Sequence, residues 1–255
     1  MIEIKDLVAG YGNTDVLKNL SLSFEKGKLT TVIGPNGSGK STVLKTTLGM
    51  LPRTSGDIFI DGENLTAFKR RDIARRISYL SQGNHTPDMT VRELVLHGRF
   101  PYLKYPCGYS EKDKEIANAA MLKVGIEKLS KYPLSALSGG MKQSAYIAMA
   151  LAQETDYILL DEPTTYLDVS HQLELMKILR ELADSGKGVA LVMHDLPMAL
   201  SFSDSVAVLK DGEILFFGAP EELLSANILK TVFGVSVSFE NGEYYYQIST
   251  SKVKE

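Results

Sequence analysis

The chain has 255 residues, 44% of them hydrophobic and 23% charged, a balance that fits a globular protein and excludes disordered and fibrous classes. Its formal charge of −3 provides no broad basic footprint, which argues against nucleic acid or an anionic membrane surface as the main partner. Cys107, the single cysteine, has no internal disulfide partner, and the opening MIEIKDLVAG has no apolar signal core, so the expected compartment is the cytosol.

The length is near the upper size for one core. It predicts a single domain over residues 1–235 with an inserted subdomain, and a tail at 236–255. Ile2 and Ile4, then Leu20, Leu22 and Phe24, recur at every second position, as in half-buried antiparallel strands. LTTVI (29–33), DYILL (156–160) and GVALVM (188–193) are instead short, apolar and β-rich throughout. Strands covered on both faces have this pattern, so a parallel, helix-covered sheet is predicted. None of these runs approaches the roughly 20 apolar residues that span a bilayer. Asp61-Gly62 and Asp211-Gly212 mark hairpin turns.

From about residue 84 to 154 the strand pattern disappears. Thr90 and Glu93 have capping-box spacing, and Ser110 can cap a helix that presents Ala117, Ala120, Met121 and Val124 on one face and stops at Gly125. These signals predict an inserted helical subdomain. Its proline- and aromatic-rich link, RFPYLKYPCGYS, is expected to be a packed surface loop. Further on, Asp168 caps a helix with Leu175, Met176, Leu179 and Leu182 on one stripe and Gly186 at its end, and Asp195 caps the next. Asn241-Gly242 between alternating runs predicts a terminal hairpin whose tyrosines pack.

Chemistry concentrates where the apolar strands end. Gly34-Pro35-Asn36-Gly37-Ser38-Gly39-Lys40-Ser41, continued by Thr42, fits G-x-x-x-x-G-K-[ST] between a strand and a helix. Its glycines free backbone N–H groups for phosphate oxygens, Lys40 brings a cation to the β- and γ-phosphates, and Ser41 suits Mg²⁺. Asp161 ends the strand YILL and should face the metal, while Glu162 can activate a water in line with the γ-phosphate as general base. His194 follows another buried strand in the same manner. Gln82 follows ISYLS at the entrance to the helical insertion, where it could touch both Mg²⁺ and the insertion.

A second anion-type helix start lies in LSGGMKQ (137–143): Ser138 is a good N-cap, and Gly139 and Gly140 clear side chains from the first turn. It belongs to the inserted subdomain, and one chain would have difficulty closing both helix starts on a single γ-phosphate. Two chains related head to tail by a twofold axis solve the geometry.

In their order and spacing GPNGSGKST, Gln82, LSGGMKQ, YILLDEP, TTYLD and His194 resemble the ATP-binding subunit of an ABC transporter over about residues 2–225. The resemblance implies an α/β P-loop NTPase with a RecA-like core, an antiparallel β subdomain and an α-helical subdomain. It implies a homodimer sandwiching two ATP molecules with Mg²⁺, Tyr11 stacked on adenine, Asp168 linking the two sites and His194 at the γ-phosphate. Met141 departs from the family's usual glutamine. More narrowly, TVRELVLHGRFPY and TTYLDVSHQLELM resemble subunits that power bacterial importers of iron-siderophore, haem or vitamin B12. That implies two transmembrane permease subunits docked on residues 82–102, a substrate-binding protein, and a place on the cytoplasmic face of the membrane. The rival reading is a soluble ATPase of the same family acting on a protein scaffold, as in iron–sulfur assembly; a small-molecule P-loop kinase would leave LSGGMKQ without a role.

Overall fold

The computed structural model describes residues 1–83, 86–104 and 108–247; Cys107 and the tail beyond Gln247 lie outside them. In chain order the elements are β1 (Ile2–Tyr11), β2 (Thr14–Phe24), β3 (Leu29–Ile33), α1 (Lys40–Thr47), β4 (Arg53–Ile60) and β5 (Glu63–Asn64). Then come α2 (Arg70–Ala74), β6 (Ile77–Leu80), α3 (Val91–His97), α4 (Glu111–Lys123), α5 (Gly139–Ala152), β7 (Tyr157–Asp161), α6 (Val169–Asp184) and β8 (Gly188–Val192). The chain continues through α7 (Leu196–Phe202), β9 (Ser205–Lys210), β10 (Glu213–Gly218), α8 (Pro220–Ser225), α9 (Ile228–Phe233), β11 (Ser236–Glu240) and β12 (Glu243–Gln247). It divides into two compact units, Met1–Leu65 with Val192–Glu255, and Thr66–Leu191.

In the first unit an antiparallel sheet runs β2-β1-β4-β5, with Ile2 opposite Phe24 on one side and Ile60 on the other. The alternation of β1 breaks once. Its register slips between Ile4 and Leu7, and Asp6 takes a φ of 48°. This bulge keeps Ile4 and Leu7 both buried although they are three residues apart. β3 is buried at every position and pairs in parallel with β9, which forms a hairpin with β10. The two threonines of β3 remain satisfied, because Thr30 shares a hydrogen bond with Ser205 (2.9 Å) and Thr31 with Ser203 (2.6 Å). β11 and β12 pair across Asn241-Gly242.

In the second unit the strands run β8-β7-β6, with Ile77 to Leu80 in parallel register with Tyr157 to Leu160. Sequence-local chemistry sets the helix starts. Thr90 and Ser110 both form complete capping boxes, with Glu93 and Asp113, and Ser138 Oγ accepts from Met141 N–H. The link after α3 is more than a surface loop, because its first charged residue, Arg99, is buried. Arg99 donates to Asp113 Oδ1 (2.9 Å), to the Ala152 carbonyl at the end of α5 (2.9 Å) and to Glu154 (3.0 Å), with its guanidinium over Tyr102. It therefore ties the start of α4 to the end of α5. From the other side, Arg71 and Arg75 donate to the Pro101 carbonyl.

Asp168 caps α6 by accepting from the His171 backbone N–H (3.0 Å), and its carboxylate also meets the His171 ring (2.8 Å) and Ser170 Oγ (2.8 Å). The His171 backbone bond, then its ring and the Ser170 hydroxyl, hold the Asp168 carboxyl down at about 2. Reciprocally, the hydrogen bond from Asp168 raises His171 above its ordinary value. A depressed carboxyl stabilises above its unfolded pKa of roughly 4 and ceases to as pH falls through 2. A raised imidazole stabilises below about 6.5 and ceases to as pH climbs through its folded value. The cap is tightest between those limits.

Two outcomes follow from these contacts. Arg99→Met should lower the free energy of unfolding by about 3 kcal/mol, since it removes the partner of Asp113 Oδ1 and of the Ala152 carbonyl; a urea midpoint equal to that of the parent chain would contradict the tie. In an NMR titration the His171 ring should change protonation above the ordinary histidine value, and Asp168→Asn should bring it back. An unaltered midpoint in the asparagine variant would remove the pairing.

Candidate functional site

The first unit carries the phosphate-type loop directly after β3. Gly39 has a φ of 104°, open to few side chains, and a Cβ there would lie 2.7 Å from Leu17. At Gly34 a Cβ would lie 2.1 Å from the Leu209 carbonyl oxygen, so β9 packs against the loop at a distance only glycine permits. The Lys40 ammonium donates to the carbonyls of Gly34 (2.9 Å) and Pro35 (3.0 Å), folding back across the loop. Asn36 and Gly37 are exposed, Pro35 and Ser41 half-buried, and Thr42 buried in the first turn of α1. Ser38 Oγ is buried yet has no hydrogen-bond partner among the described residues. A buried hydroxyl without a partner is costly. Beside a lysine ammonium and a helix start it suits an anion with several oxygens, as a nucleotide phosphate has.

Two further candidates lie in this unit. Tyr11 ends β1 beside the turn to β2 and is 51% exposed, leaving its ring free to stack. β8 stops at Val192, and His194 follows two residues later as an exposed side chain.

In the second unit Asp161, the last residue of β7, is buried and its Oδ2 accepts from Tyr79 Oη (3.3 Å). The next residue turns sharply, with Glu162 at a φ of 52°, uncommon for a side chain with a Cβ. Glu162 Oε2 accepts from Gln82 Nε2 at 2.6 Å, so residues eighty apart in sequence meet directly. Tyr79 was not among the sequence candidates; its position one residue before the end of β6, parallel to β7, is the signal that could have found it.

The LSGGMKQ helix start is bound to the loop after Glu162. A Cβ on Gly139 would meet Tyr166 at 3.4 Å, and one on Gly140 would meet Leu167 at 3.5 Å. Gln143 Nε2 donates to the Pro163 carbonyl (2.9 Å), and Gln172 Nε2 to the carbonyls of Thr164 (3.2 Å) and Leu167 (3.0 Å). Gln143 and Gln172 thus clamp the loop that leads to Asp168. Their helical placement facing 163–167 is visible only in three dimensions. Met141, the departure in the motif, is 45% exposed, while Ser138 keeps its cap. Among the described residues no group of histidine, cysteine and carboxylate side chains forms a metal cluster, and no helix is long and apolar enough to cross a membrane.

Comparison with known proteins agrees with this picture. The profile of the ABC transporter family matches residues 17–165, which is 149 of 255. The petrobactin import ATP-binding protein FpuD of Bacillus anthracis is 40% identical over 91% of this chain and 86% of its own. The ferric enterobactin transport ATP-binding protein FepC of Escherichia coli K12 is also 40% identical, over the same shares. A bacterial ABC transporter cassette solved as a dimer is 29% identical, with a TM-score of 0.77 over 86% of this chain and 99% of that one. The glycine loop, the LSGGMKQ helix start and the acid pair at the end of β7 thus stand in a P-loop NTPase fold, and the chain belongs to the ABC transporter family as one of its ATP-hydrolysing cassettes.

Proposed function

We propose that this chain is the ATPase subunit of an importer for iron-siderophore, haem or cobalamin, working as a homodimer that sandwiches two ATP molecules. The observation that carries the reading is the joint presence of the glycine loop and the LSGGMKQ helix start on a chain 40% identical to the petrobactin and enterobactin ATP-binding proteins. That likeness favours the importer over a soluble scaffold ATPase. The dimeric relative supports pairing of two copies, each offering its Ser138, Gly139 and Gly140 to the nucleotide held by the other's loop.

In this reading residues 34–42 bind the phosphates through backbone N–H groups, with Lys40 as the cation and Ser38 Oγ as a further donor. Tyr11 stacks on adenine. Ser41, Asp161 and Gln82 would hold Mg²⁺, which when bound neutralises phosphate charge. The Glu162 carboxylate takes a proton from water as the water oxygen bonds to the γ-phosphorus and the bond to the ADP oxygen breaks. Its contact with Gln82 supports that role, since the amide orients the carboxylate at the end of β7. His194 donates to the γ-phosphate, and Asp168 links the two sites. Permease subunits dock on residues 82–102, which places the protein peripherally on the cytoplasmic face of the membrane and links it indirectly to a substrate-binding protein.

Glu162→Gln should reduce ATP turnover by about a hundredfold or more while ATP still binds, because the amide cannot accept the proton. With Mg²⁺-ATP the variant should elute as a dimer in size-exclusion chromatography; full turnover would strip Glu162 of the base role. Affinity purification from the native host in detergent should bring down a partner with many membrane spans. A complex that forms equally well without detergent and lacks such a partner would contradict the importer reading.

A further inference from the structure

The terminal hairpin has no part in the roles above, yet one of its side chains reaches the turn that carries His194. The Leu196 backbone N–H, the first of α7, donates to Tyr246 Oη at 3.2 Å. On the other side of the histidine, Met193 N–H donates to the Val32 carbonyl of β3 at 3.4 Å, one residue before the strand ends and the glycine loop begins. The four residues from Met193 to Leu196 are therefore held at both ends. Met193 and Leu196 are buried, and only His194 and Asp195 project into solvent. Asp195 is already occupied as the cap of α7, accepting from Met198 N–H at 2.8 Å.

An unpaired N–H at a helix start normally finds water or a local side chain. Here the Leu196 N–H has a partner fifty residues away. The same hairpin contains tyrosines with no such task. Tyr245 Oη donates to Glu243 within its own strand, and the Tyr244 ring lies 4.7 Å from Phe239. Packing alone could be supplied by any aromatic, whereas the bond to Leu196 requires an acceptor at the ring's tip.

We propose that the terminal hairpin is a positioning element for His194, acting through the Tyr246 hydroxyl, which fixes the start of α7 and thereby the peptide that carries the histidine. The proposal rests on the reading of His194 as the γ-phosphate contact. The hairpin and the turn that bears His194 are thus joined by a hydrogen bond, so a partner or modification that displaced the hairpin would alter hydrolysis without touching the phosphate loop.

Tyr246→Phe keeps the ring and deletes the acceptor. In the nucleotide-free protein its His194 ring resonances, assigned by their loss in His194→Gln, should move relative to the parent chain, while those of Tyr245→Phe should not. The kcat for Mg²⁺-ATP should fall about threefold to tenfold, as loss of one hydrogen bond allows, with ATP affinity unchanged. In a His194→Gln background the same substitution should cost nothing further. Coincident His194 resonances in Tyr246→Phe and the parent would overturn the proposal, as would an equal loss of kcat in both backgrounds. Should His194→Gln alone hydrolyse ATP at the parental rate, the γ-phosphate role fails, and the resonance shift still decides whether Tyr246 positions the turn.

Discussion

A strand buried on both faces can carry a hydrogen-bonded hydroxyl but not a charged side chain until it ends, and that constraint locates the chemistry of this protein. β3, β7 and β8 are buried at every position. Each is followed by groups that its interior could not accept: the glycine loop and Lys40, Glu162, and His194. Desolvating these groups within the strands would cost several kcal/mol apiece. Asp161 marks the limit, buried at the last position of β7 and supported there by Tyr79. The left-handed turn at Glu162 then redirects the chain at once.

The loop from Pro163 to Asp168 shows how the second unit joins its parts. Gln143 from α5 and Gln172 from α6 both donate to its backbone, and Gly139 and Gly140 let the start of α5 approach it without side chains. Displacement of the helix start would thus pull on the residues beside Glu162. On the proposed reading, a second copy that touched the helix start would reach Glu162 through this linkage. Arg99 stiffens the far end of the same helix by joining the Ala152 carbonyl to Asp113.

The first unit is tied in a comparable manner. β9 presses on the glycine loop at Gly34, and Val32 of β3 accepts from the turn that bears His194. The hairpin of β11 and β12, which makes a small separate sheet, is tied to α7 through Tyr246. A peripheral element with a directed polar contact is well suited to tuning, since it forms a sheet separate from the core strands.

The sequence by itself determined whatever depends on neighbours along the chain. Caps at Thr90, Ser110, Ser138, Asp168 and Asp195 are local contests for free N–H groups, and turns such as Asp61-Gly62 require left-handed backbone that few residues adopt. The glycine loop and acid pair were legible because a P-loop fold carries fixed residue types at fixed spacing. Tertiary structure alone decided the pairing of Gln82 with Glu162, the burial of Arg99, the clamp by Gln143 and Gln172, and the reach of Tyr246 to Leu196. Each of these joins residues whose sequence separation carries no periodic signal, and each depends on which polar groups packing brings together, a quantity that exists only once the chain has closed on itself.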